Sequence, residues 1–184
     1  GRILESEYTD DIPVSYKLNF VVEGENLATM AKSAGLALIE FSSAFQNIQP
    51  DVVVVIADRF ECLPIAMAAA YMNIPVAHIH GGDTTIGGNI DDSNRYAITK
   101  FAHSHFPATK RSAERIIKMG EEEWRVHKVG SPALDVILNK SFIPVNILTK
   151  KFSLDLSKPL VLLIQHPVTT QVDDAPEQIK ETIE

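Results

Sequence analysis

Residues 51–58 read Asp-Val-Val-Val-Val-Ile-Ala-Asp. β-Branched side chains are stiff at χ1 and suit a pleated strand better than a helix. The run has no polar alternation, so it has no solvent face. It reads as a strand buried on both sides, the mark of a parallel sheet covered by helices. The longest purely apolar run in the chain, Ile65–Met72, is eight residues. A membrane-spanning helix needs roughly twenty such residues, so none is expected and no membrane partner is implied.

The flanking segments fit the same architecture. Leu27, Met30, Ala31, Ala34, Leu38, Phe41, Ala44, Phe45 and Ile48 recur at three- and four-residue steps, a long amphipathic helix stopped by Pro50. Residues 61–72, rich in Ala and Met, read as helix. Ile74–His80 reads as the next strand, ended by Gly81-Gly82. Asp91-Asp92-Ser93-Asn94 is an N-terminal signal for a helix through about His103. A short strand over 105–109, a helix over 110–119, a strand over 124–129 and a short helix over 132–138 follow. Residues 14–22 read as a further strand, Pro159–His166 as another, and 174–184 as an acidic amphipathic helix. Strand and helix alternate, so the fold class is α/β with a doubly wound parallel sheet. The expected organisation is a first domain over 1–138, a linker over 139–158 marked by Pro144 and alternating Lys, and the opening strand and helix of a second domain over 159–184.

Seventeen Lys and Arg stand against 24 Asp and Glu, a formal charge of -7. Such a chain has no general attraction to nucleic acid or anionic membrane, so an anionic ligand must be held by local groups. One cysteine, Cys62, excludes an intrachain disulfide and fits a reduced compartment, the cytoplasm. The first residues, Gly1–Ser6, lack the basic and apolar regions of a signal peptide.

In open parallel sheets, ligands bind beyond the carboxyl ends of the strands. There the sequence puts Asp58-Arg59-Phe60-Glu61, His80-Gly81-Gly82-Asp83, the pair His103 and His105, and Gln165-His166-Pro167. Asp58, Asp83 and Asp91 with several imidazoles would point at one rim, where partial desolvation suits acid/base chemistry. Each has a plainer reading. Asp58 also fits a helix cap, Arg59 and Glu61 a surface ion pair, and His78 and His80 satisfied core histidines. The glycines of residues 81–88 suit close approach to a phosphate or sugar, or simply a loop. His78-x-His80 with Asp83 has zinc-ligand chemistry, but no further Cys/His motif sits at a telling spacing. No metal or other cofactor is expected. Cys62 reads as a small core residue.

Longer strings carry a resemblance. Asp58-Arg59-Phe60-Glu61, Ala70–Asp83 (Ala-Tyr-Met-Asn-Ile-Pro-Val-Ala-His-Ile-His-Gly-Gly-Asp), Ile90–Lys100, His103-x-His105-Phe106, Val129-Gly130-Ser131-Pro132 and Gln165–Thr170 together resemble the UDP-N-acetylglucosamine 2-epimerase family. The likeness leans toward its hydrolysing, sialic-acid-pathway branch. It implies two Rossmann-like domains in a GT-B-like arrangement with a UDP-sugar in the cleft between them. It implies loss of a proton at C2 and of UDP at C1 to give a 2-acetamidoglucal, followed by water addition that releases N-acetylmannosamine and UDP. It assigns Asp58, Asp83 and Asp91 as catalytic, and Arg59, His80, Gly81, Gly82, Arg95, His105 and His166 as substrate-binding. A homodimer is the family tendency.

There are departures. Ala57 stands where the family usually has Gly, Tyr96 replaces a common His, and Asp83 stands where this branch usually has Glu. His80 occupies the position of a catalytic Glu in the non-hydrolysing branch. The family's first strand and most of its second domain are not found in the sequence, so one wall of an active site is expected, which alone would not turn over. The alternatives are a non-hydrolysing epimerase making UDP-N-acetylmannosamine, a non-catalytic nucleotide-sugar-binding module, and a GT-B glycosyltransferase.

Overall fold

Three strands, β1 (Val53–Ile56), β2 (Val76–Ile79) and β3 (Ser104–Phe106), run parallel and lie side by side in chain order. The register sets Val53 opposite Val76, Ile56 opposite Ile79, and His78 opposite His105. The computed structural model describes residues 13–24, 26–85, 90–139, 142–166 and 171–184. Among these no helix is long and apolar enough to cross a membrane.

Helices make the crossovers. α1 (Leu27–Ile48) begins at a capping box: the Asn26 side chain accepts the Thr29 N–H, and Thr29 Oγ1 accepts the Asn26 N–H. It ends at Gln49 in the left-handed region, just before Pro50. α2 (Cys62–Tyr71) packs on α1 and β1 through small residues, with Ala66, Ala68 and Ala69 fully enclosed. α3 (Ile90–Phe101) buries Ile98 and Thr99 against α2 and β2. α4 (Lys110–Lys118) is capped by Thr109, whose hydroxyl accepts the Ser112 N–H. The core is Phe45, Val53, Val55, Ala66, Ala68, Ala69, Val76, Ile98 and Ala102.

β2 is closed in on both faces, since Val76, Ala77 and His78 are all buried. β1 is not. Val53 and Val55 are 7% and 2% exposed, whereas Val54 and Ile56 are 58% and 56% exposed. The expectation of burial on both sides fails for β1, because nothing among the described residues covers that face.

Two other expected strands are not formed. Residues 14–22 are extended and lie against α1, with Val22 N–H donating to Ser33 Oγ at 2.8 Å and Phe20 against Phe41, but they enter no ladder. The apolar run 160–164 is exposed and unladdered. β-Propensity supplies a pleated backbone, but a strand also needs a neighbour to take its N–H and C=O groups. The stretch 124–129 is intermediate. It opens with a 3₁₀ turn at Glu123–Arg125, then runs parallel to β3, His127 N–H donating to His105 O and Val129 N–H to Pro107 O.

The chain divides into two units, Gly1–Gly130 and Ser131–Glu184. The second holds α5 (Pro132–Asn139), α6 (Val145–Phe152) and α7 (Ala175–Ile183). α6 occupies part of the stretch expected as linker. Pro144, expected as a mark of that linker, is the residue on which this helix starts, its carbonyl accepting the N–H groups of Ile147 and Leu148.

Candidate active site

Both β1 and β2 leave the sheet through a non-glycine residue in the left-handed region. Ala57 and His80 each have φ 64°, and each still donates its N–H to the adjacent strand, to Ile79 O at 3.0 Å and Phe106 O at 3.1 Å. Left-handed backbone costs an L-residue about 1–2 kcal/mol, and such outliers gather at functional sites. The following residues, Asp58 and Gly81, open the rim.

Asp58 does not cap α2, which starts on Glu61 without a side-chain cap. Its carboxylate instead accepts from the Arg95 guanidinium, and the other arm of that fork reaches Asp92 at 2.7 Å. All three side chains are largely buried. Asp92 in turn accepts the Thr84 hydroxyl at 3.0 Å and the Thr85 N–H, pinning the loop after Asp83 to the start of α3. Asp91 lies beside it in the first helical turn, four residues before Arg95 and half-buried.

Asp83 forms a second cluster. It accepts the Ser112 hydroxyl and lies 3.9 Å from His80 Nδ1. Gly82, at φ 78°, accepts Arg115 at its carbonyl, and a Cβ there would run into the Ser112 carbonyl. At Gly81 a Cβ would stand 2.9 Å from His78 Nδ1. The two glycines are thus required by packing against α4 and His78; residues 86–89 of the glycine-bearing loop lie outside the described residues.

The remaining predicted positions separate. Arg59 is exposed and donates to Glu61 at 2.7 Å, the surface ion pair. His105 is fully buried in β3, its Nε2 3.2 Å from Glu121. Lys100 and Arg125 also pair with Glu121. Burial pushes the His105 imidazole down, with Glu121 opposing. Burial alone would raise Glu121, but Lys100 and His105 outweigh it and hold the carboxyl below its ordinary range. His103, expected at the rim, lies at the opposite end: it precedes β3, and its Nδ1 accepts the N–H of Val76, the first residue of β2. His166 lies exposed in the second unit, and Pro167–Thr170 lie outside the described residues.

His78 is completely buried, with Nε2 2.9 Å from the Ala57 carbonyl and Nδ1 3.2 Å from Thr99 Oγ1. Burial pushes its imidazole down to about 4, against the pull of the Ala57 carbonyl. With both ring nitrogens occupied it has none for a metal, and among the described residues no group of three His, Cys, Asp or Glu is arranged to hold one. The Cys62 thiol donates to Ile56 O at 3.3 Å and is pushed up by burial, as befits a packed residue rather than a nucleophile. Asp92 and Ser112 were not foreseen from sequence; the one signal was the i, i+3 spacing of Asp92 and Arg95.

Fold and rim together define a Rossmann-like α/β protein with acidic groups gathered where parallel sheets bind ligands. The family model for UDP-N-acetylglucosamine 2-epimerase matches residues 4–184, and the chain belongs to that family. It is 40% identical over 157 residues, 85% of this chain and 41% of the relative, to UDP-N,N'-diacetylbacillosamine 2-epimerase (hydrolyzing) of Legionella pneumophila. To GDP/UDP-N,N'-diacetylbacillosamine 2-epimerase (hydrolyzing) of Campylobacter jejuni it is 36% identical, over 95% of this chain and 45% of the relative. Among solved structures, Methanocaldococcus jannaschii UDP-GlcNAc 2-epimerase in complex with UDP-GlcNAc and UDP aligns with a TM-score of 0.59 at 26% identity, over 64% of this chain and 32% of that one. The chain spans less than half the length of these relatives.

Proposed function

We propose that the full-length protein is a hydrolysing 2-epimerase of UDP-linked 2-acetamido sugars, and that this chain supplies the acid/base wall of its site. The observation that carries the reading is the rim itself: Asp58 and Asp83 stand just beyond two register-paired strands, each held by partners from a different helix. A proton beside the anomeric carbon is weakly acidic, so its removal needs a positioned carboxylate, and its return from the other side needs a second group.

In this reading one carboxylate takes the C2 proton while the C1–oxygen bond to UDP breaks, the electron pair leaving on the diphosphate. The resulting 2-acetamidoglucal then takes a water oxygen at C1 and a proton on the opposite face of C2. The sum is UDP-sugar and water going to UDP and the free 2-epimer. Asp58, Asp83 and Asp91 are the acid/base groups, Arg95 orients Asp58, and His80 faces the substrate; the family resemblance adds His166 as a substrate-binding residue. UDP-N,N'-diacetylbacillosamine is the first substrate to try, since both hydrolysing relatives bear that name. UDP-N-acetylglucosamine is the second, on the family description. A cytoplasmic homodimer making a sugar for sialic-acid-type synthesis completes the proposal.

The test incubates full-length protein with each nucleotide sugar in D₂O and follows products by NMR. Free UDP in equal amount to a free 2-epimer bearing deuterium at C2 is expected. A UDP-linked epimer without free sugar would assign the non-hydrolysing reaction, and no exchange at C2 would sink the epimerase reading.

A further inference from the structure

His78 reaches no open surface, yet every polar atom of its ring is committed to rim backbone or to a side chain beneath it. The Ala57 carbonyl can only accept, so Nε2 carries the proton and donates to it at 2.9 Å. Nδ1 is then an acceptor 3.2 Å from the Thr99 hydroxyl, whose single proton it shares with the Arg95 carbonyl 3.0 Å away. Thr99 is itself fully buried. The edge of the ring also sets the space that only Gly81 can occupy.

Ala57 is the unusual partner. It is left-handed at φ 64°, a conformation alanine does not hold by itself. Two β2 residues hold it there, Ile79 through the Ala57 N–H and His78 through the Ala57 C=O. The residue it aims is Asp58, and the group that receives Asp58 is the Arg95 guanidinium. We propose that His78 is a positioning residue, clamping left-handed Ala57 through its carbonyl so that Asp58 is fixed for proton transfer at the rim. This deepens the epimerase reading and rests on it. The clamp supplies what a glycine at this position would supply by freedom of φ.

The test uses full-length protein with His78→Asn, His78→Gln and the pair Ala57→Gly/His78→Asn. Gln puts a donor the same number of bonds from Cα as Nε2, whereas Asn ends short of Ala57. His78→Asn is expected to lose about 100-fold in kcat, as misplacement of a reacting group does, with KM little changed and faster amide exchange at residues 57–59. His78→Gln should stay within about tenfold of the parent, and adding Ala57→Gly to His78→Asn should recover about tenfold, by restoring φ rather than contact. Parental kcat and exchange in a folded His78→Asn protein would overturn the clamp, as would a Gln variant as impaired as Asn. Should His78→Asn not fold, the Gln variant decides alone, supporting the clamp if it keeps both kcat and slow exchange and overturning it if either is lost. A parent enzyme that releases no UDP would sink the functional reading, while exchange at 57–59 still decides the clamp.

Discussion

Arg95 pairs with Asp58 across 37 residues of sequence, joining the first turn of the rim to the helix that crosses above β2. The same guanidinium holds Asp92, so one side chain fixes two carboxylates that are both mostly enclosed. Removing one member of such a set leaves charge without a partner, which costs more than the pair itself contributes. Arg95→Ala is expected to lower stability by about 3 kcal/mol in urea unfolding. Arg95→Lys should recover only part of this, because an ammonium cannot fork to both acids.

Asp58→Asn keeps the shape and removes the base. If Asp58 moves the C2 proton, UDP release per folded molecule should fall at least about 100-fold in kcat, with KM nearly unchanged and a lowered thermal midpoint, since Arg95 loses one of its two charged partners. Asp83→Asn makes the parallel test at the neighbouring strand end, where Asn can still accept from Ser112. Deuterium incorporation at C2 checks both. A variant that still exchanges C2 at the parent rate would remove that residue from the acid/base pair.

What could be read from sequence was position along an element. The valine run gave β1, the three- and four-residue spacing gave α1, and the residues just past each strand gave Asp58 and Asp83. Partners were not legible. No local pattern says that Arg95 meets Asp58, that Asp92 accepts from Thr84 and Thr85, or that His103 caps the far end of β2 while His105 sits in the core beside Glu121. The same gap explains residues 14–22 and 160–164, whose composition favours strand but which have no neighbour to ladder with among the described residues. Propensity is local, whereas pairing is set by topology.

The buried histidine makes stability depend on pH with a defined sign. His78 ordinarily titrates near 6.5 and in the fold only at about 4. Above pH 6.5 both folded and unfolded chains hold it neutral, and its contribution is complete. Between 6.5 and 4 the unfolded chain binds a proton that the folded chain refuses, so stability falls with falling pH by about 1.4 kcal/mol per unit. Below about 4 the loss levels off. His105, pushed down for the same reason, adds to the slope. Chemical denaturation at pH 7.5, 6 and 5 should show the decline, and His78→Gln, with nothing to titrate there, should make it shallower, leaving the part that His105 contributes.

Gly82 and Gly120 separate backbone strain from collision. Both have positive φ, 78° and 95°. A Cβ at Gly120 meets nothing within 4 Å, so Gly120→Ala should cost about 1 kcal/mol from conformation alone. At Gly82 the added methyl meets the Ser112 carbonyl and, at 2.9 Å, the Ile116 side chain. Ser112 O is backbone at the start of α4 and cannot rotate away, so the rim turn must lift. The lift would pull Asp83 from the Ser112 hydroxyl and Gly82 O from Arg115. Gly82→Ala is therefore expected to cost at least about 3 kcal/mol, and to lose UDP release by more than its folded fraction explains, while Gly120→Ala keeps full activity per folded molecule. Equal losses for the two alanines would mean that the close approach of Gly82 to α4 does not govern where Asp83 stands.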